Sequence, residues 1–103
     1  MMTVMAELSV VPIGTGSTEL STFVTEALRV IRKTKDVKWQ LTPMGTIIET
    51  DSLDKLLNLV GEAHEALFKF GAKRVSTIIK IDDRRDVSGE RMKKKVDSVL
   101  SKI

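Results

Sequence analysis

From Val4 to Val11 apolar and polar positions follow a two-residue period. Val4, Ala6, Leu8 and Val10 fall on one side of an extended chain, and Met5, Glu7, Ser9 and Val11 on the other. This predicts a strand with one wholly apolar face, to be covered by helices, and one mixed face. The period then lengthens: Leu20, Phe23, Val24, Ala27, Leu28 and Ile31 form one stripe of an amphipathic helix. With Ser17 as N-cap and Glu19 in the first turn, that helix is predicted from Ser17 to Thr34. Alternation returns in Val37, Trp39 and Leu41 against Lys38, Gln40 and Thr42. It breaks at Pro43, Met44 and Gly45 and resumes in Thr46 to Glu49, the pattern of a hairpin. A second helix, capped by Asp51 or Ser52, carries Leu53, Leu56, Leu57, Val60, Ala63, Leu67 and Phe70 and stops at Gly71. A fourth strand spans Arg74 to Ile81. Ser88 then caps a last helix with a thin stripe of Met92, Val96, Val99, Leu100 and Ile103.

The order βαββαβ plus a C-terminal helix implies two right-handed β-α-β crossovers interleaved in one sheet. This is the α+β, ferredoxin-like arrangement: a four-stranded antiparallel sheet with both main helices on one face. The other face would be bare. It would carry Glu7, Ser9, Gln40, Glu49, Ser76 and Lys80 together with Met5, Val11, Ile47 and Ile78, more apolar surface than a solvated sheet normally shows. A second copy of the chain is the most economical cover.

Composition narrows the chemistry. At 103 residues the chain fits one domain, residues 1–103. Without cysteine it has no disulfide, thiolate metal site or cysteine nucleophile, and with one histidine a zinc site would need carboxylates for most of its ligands, so no structural metal is expected. No apolar run approaches the roughly 20 residues of a membrane span, and no basic segment leads into a long apolar stretch at the N-terminus, so the expected location is cytoplasmic, with no membrane partner. The formal charge of +3 is uneven: residues 1–64 carry 6 basic and 8 acidic side chains, residues 65–103 carry 11 and 6. Arg91, Lys93, Lys94 and Lys95 supply much of the C-terminal excess, but with only four aromatic residues a solvated helix face fits better than a nucleic-acid surface.

Candidate chemistry gathers at the end of the first strand. Pro12, Ile13, Gly14, Thr15, Gly16 and Ser17 form a Gly/Thr/Ser turn leading into a helix, where hydroxyls and unpaired backbone N–H groups can meet a small molecule. The glycine spacing matches neither the dinucleotide fingerprint nor the phosphate loop, and an ordinary strand-to-helix turn explains the segment equally well. Glu49, on the mixed face, can accept hydrogen bonds from an amine or cation, or serve as a surface carboxylate. His64 borders a buried stripe without a nucleophile beside it and reads as a packed, hydrogen-bonded side chain. The run Asp82, Asp83, Arg84, Arg85 and Asp86 neutralises itself, which predicts mutual ion pairs rather than a metal site.

Taken together, Pro12 to Thr15, Met44 to Glu49, Ala63 to Ala66 and Lys80 to Asp86 make the chain resemble the thiamine-binding protein family over nearly its whole length. The resemblance implies a small ferredoxin-like protein that binds thiamine or its hydroxymethylpyrimidine moiety as a carrier, buffer or sensor. It further implies assembly into homodimers or homotetramers through the sheets, no established catalysis, and no cofactor besides the thiamine-like ligand. It points to Gly14, Thr15 and Ser17 from the first turn and Thr46 and Glu49 from the hairpin as ligand-binding residues. The alternation puts Thr46 and Glu49 on opposite faces, so a bulge near Gly45 is required if both are to reach one ligand. Two other readings are a protein-interaction or regulatory module using the exposed sheet and an enzyme of thiamine-related metabolism.

Overall fold

The computed structural model describes residues 2–86 and 91–103. Four strands, β1 (Val4–Pro12), β2 (Lys38–Thr42), β3 (Gly45–Thr50) and β4 (Val75–Asp83), form one antiparallel sheet in the order β2-β3-β1-β4. Helices α1 (Ser21–Lys33) and α2 (Leu53–Lys69) follow β1 and β3, and α3 (Arg91–Leu100) follows β4. The architecture is the predicted ferredoxin-like α+β fold.

The two-residue period of β1 decides the layering. Val4, Ala6, Leu8 and Val10 are buried with Ile48 from β3 beneath Ala27, Val30 and Ile31 of α1 and Leu56, Leu59, Ala63 and Leu67 of α2. The α2 stripe is turned slightly from the predicted one: Leu59 is inside and Leu57 is half exposed, because the strip that meets the sheet is narrower than the run of leucines. At Gly45 a Cβ would stand 2.9 Å from the Leu8 carbonyl oxygen, so only glycine lets the hairpin close against β1 there.

Ser52 caps α2 as anticipated, its side chain accepting a hydrogen bond from the Lys55 backbone N–H. The start of α1 differs from expectation. The helix begins at Ser21, with Leu20 as N-cap and no side-chain cap, rather than at Ser17. The Thr15 hydroxyl accepts from the Ser17 N–H, the Ser17 hydroxyl from the Glu19 N–H, and the Glu19 carboxylate from the Ser21 N–H. These two-residue bonds satisfy the backbone outside a helix and delay its start by a turn. The predicted cap Ser88 of the last helix lies outside the described residues.

Candidate functional site

The three turn residues predicted to bind a ligand come together. Gly14 and Gly16 both take a φ of +79°, a left-handed geometry that suits glycine, and the Ile13 N–H donates to the Arg74 carbonyl at 2.8 Å, tying the turn to the entrance of β4. The result is a cavity of about 480 Å³ lined by Gly14, Thr15, Ser17, Glu19, Thr22, Phe23 and Lys73, among others. One wall is stiffened by an edge-to-face contact of Phe23 with Phe70, ring centroids 5.2 Å apart. Hydrogen bonds from Ser21, side chain and then backbone, hold the Glu19 carboxyl below its usual range, so it is ionised at neutral pH. Sequence reasoning missed Glu19 as part of the cavity. The spacing Ser17, Glu19, Ser21 was a legible signal for a bonded polar turn, whereas nothing local announced Lys73, which arrives from the connection between α2 and β4.

Thr46 and Glu49 do not join this cavity. The pairing runs without a bulge from Leu8 opposite Thr46 to Val4 opposite Thr50, so the two side chains stay on opposite faces. Thr46 is buried on the helix side, at the base of a separate cavity of about 180 Å³ lined by Val24, Leu28, Leu41 and Met44 between α1 and the hairpin.

The expectation of a bare face around Glu49 is corrected. Glu49 is completely buried, because the first turn of α3 lies over it. One carboxylate oxygen accepts from the backbone N–H groups of Arg91 and Met92, as an acidic cap does for the orphan donors of a helix start. Arg91, itself buried, donates to the carbonyls of Thr3 (3.0 Å) and Asp82 (2.7 Å) and pairs with the Asp82 carboxylate, which also receives Lys95 at 2.9 Å. The Lys95 hydrogen bond, followed by Arg91, lowers the Asp82 carboxyl below the ordinary range.

His64 and the Asp83–Asp86 stretch behave as the residues implied. His64 Nδ1 lies 2.6 Å from the Thr77 hydroxyl and its ring is tilted against Phe68. Arg84 pairs with Asp86 and Arg85 with Asp83. Among the described residues no three His, Asp or Glu side chains gather as a metal site, and no helix is long and apolar enough to cross a membrane.

Residues 6–100 match the family described as Thiamine-binding protein. The chain belongs to that family. A UPF0045 protein of Methanothermobacter thermautotrophicus is 45% identical over 98 residues, 95% of this chain and 97% of the relative. UPF0045 protein YqgV of Bacillus subtilis is 37% identical over 97 residues, 91% of each. The crystal structure of hypothetical protein MJ1052 from Methanocaldococcus jannaschii superposes with a TM-score of 0.84 at 34% identity, covering 96% of this chain and 97% of that one. A candidate thiamine biosynthesis/salvage protein of Thermotoga maritima superposes at 0.76 over 93% of this chain and 97% of its own; at 24% identity that likeness is one of fold. The thiamine-binding family thus accounts for almost every described residue of the chain.

Proposed function

We propose that the protein binds thiamine or its hydroxymethylpyrimidine moiety in the cavity at the β1–α1 turn, as a carrier, buffer or sensor that does no chemistry on it. The carrying observation is the ionised Glu19 beside the Thr15 and Ser17 hydroxyls in one cavity of about 480 Å³, within the size range of small-molecule sites. An aminopyrimidine offers N–H donors to a carboxylate and to hydroxyls, and a thiazolium cation favours an anionic neighbour. Membership of the family described as thiamine-binding protein supports this ligand class. The non-catalytic reading is supported by His64, which is engaged by Thr77 and Phe68 away from this cavity. In this reading Gly14, Thr15, Ser17 and Glu19 contact the ligand, Glu49 holds α3, and Thr46 belongs to the core.

Titration calorimetry with thiamine and with hydroxymethylpyrimidine tests it. Saturable binding is expected, weakened about tenfold by Glu19→Gln and several-fold by Thr15→Val, since a lost hydrogen bond to a charged group costs about 1.5–3 kcal/mol and one between neutral groups about 1 kcal/mol. Glu49→Gln should leave the affinity unchanged. Absence of heat with both ligands, or undiminished affinity in Glu19→Gln, would refute the assignment.

A further inference from the structure

The cavity at the β1–α1 turn carries two charges of opposite sign that do not neutralise each other. Glu19 and Lys73 both line it, yet no ion pair joins them. Glu19 is held ionised by its bonds to Ser21. Lys73 and Arg74, the next residue along, are exposed, and among the described residues neither has an acidic partner. The Asp82–Asp86 run, by contrast, closes on itself in ion pairs. A cavity with an acid and a free base on its walls offers a ligand two poles rather than one.

The backbone adds donors at the basic pole. The Ile13 N–H donates to the Arg74 carbonyl at 2.8 Å, which sets Gly14 beside Lys73 across the β1–β4 pair. Gly14 has a φ of +79°, and among the described residues its N–H and that of Thr15 meet no acceptor. An ammonium beside unpaired N–H groups is a donor set that suits phosphate oxygens. At the acidic pole the Ser17 hydroxyl accepts from the Glu19 N–H at 3.0 Å and keeps its own proton for a ligand acceptor. Thiamine itself satisfies one pole and conflicts with the other: its thiazolium is drawn to Glu19 and repelled by Lys73.

Given the assignment of this cavity to a thiamine-like ligand, on which this inference rests, we infer that the form it favours is the phosphate monoester of thiamine. Glu19 faces the cationic ring, and Lys73 with the Gly14 and Thr15 N–H groups faces the phosphate. The phosphate hangs from the hydroxyethyl arm of the thiazolium, a few bonds from the positive ring, so both charges fit within one cavity of about 480 Å³. Lys73 then decides between the free and the phosphorylated form, by attracting the ester and by repelling the bare cation. A single lysine on the wall matches a single phosphate.

Titration calorimetry with thiamine and with thiamine monophosphate, each on the full chain at low salt, tests this. The wild type should bind the monophosphate about tenfold more tightly than thiamine, the effect of one charge-assisted hydrogen bond. Lys73→Met keeps the length of the side chain and loses the charge. It should weaken the monophosphate about tenfold and tighten thiamine, two changes of opposite sign that damage to the cavity wall would not produce. Lys73→Arg should keep the preference for the monophosphate, and Lys73→Glu should reverse it. Lys73 is exposed in the connection between α2 and β4, so these variants should melt with the wild type. A wild type that binds thiamine as tightly as its monophosphate, or more tightly, would overturn the inference and leave the thiamine site standing. Parallel weakening of both ligands by Lys73→Met would overturn it as well, making Lys73 a structural part of the wall. If neither ligand gives heat, the assignment of the cavity falls and the inference falls with it.

Discussion

The two faces of the sheet meet helices in opposite ways. On one face α1 and α2 turn their apolar sides inward, and Ile31, Leu56 and Leu67 disappear from solvent against Val4, Leu8 and Ile48. On the other, α3 turns its charged side inward and shows Val96, Val99 and Leu100 to water. The three helices among the described residues are amphipathic, yet two are held by burial of their apolar sides and the third by a carboxylate cap and two cations on Asp82. Amphipathicity therefore does not say which side of a helix a domain will use. That depends on what the opposing surface offers, and a sheet face carrying Glu49 and Asp82 offers anions, which attract the start of a helix and its arginine and lysine.

If the contrast is right, the largest effect should come from the burial-held side. Leu56→Ala removes a fully buried side chain at the centre of the core and should lower the unfolding free energy by about 2–5 kcal/mol in urea denaturation, whereas Val99→Ala, measured at a concentration too low for self-association, should cost less than about 0.5 kcal/mol. Equal costs would break the comparison. A smaller and local effect is expected at the cap. Glu49→Gln keeps the shape but loses the charge that faces the α3 N–H groups, worth about 1 kcal/mol. Amide exchange in residues 91–100 should speed up while exchange in α1 and α2 stays as it was; uniform acceleration would instead make Glu49 part of the core. The smallest effect is with acid. Because Lys95, then Arg91, depress the Asp82 carboxyl, the contribution of these pairs is present above the ordinary aspartate value of about 4 and is lost as pH falls through the lower value of the folded protein. The first turn of α3 should loosen in that window before the core unfolds, by NMR, and Asp82→Asn should show the looser state already at neutral pH.

Much of this was legible from periodicity. The alternation in β1 and the hairpin, the 3.6-residue stripes of α1 and α2 and the Ser52 cap are local regularities, and together they leave little choice but the βαββαβ sheet. The Gly/Thr/Ser turn was legible as a place for polar contacts for the same reason, since Thr15, Ser17 and Glu19 bond within two residues of themselves. The same bonds defeated the predicted start of α1, because side-chain acceptors outside the helix competed with an N-cap that sequence pattern alone would place at Ser17.

The chain by itself determined which residues form strands and helices, and which face of the sheet α1 and α2 cover. Tertiary structure alone decided where the polar residues act. Glu49 and Thr46 stand three positions apart on one strand, on the opposite faces that the alternation predicts, but only the bulge-free register with β1 and the packing of α3 make one a cap for that helix and the other a core hydroxyl. Glu19 and Lys73, 54 positions apart, share a cavity because β1 and β4 are neighbours in the sheet. Contacts within a turn or two are set by local geometry and can be read from spacing, whereas contacts between elements depend on the packing of the whole chain, which no single segment encodes.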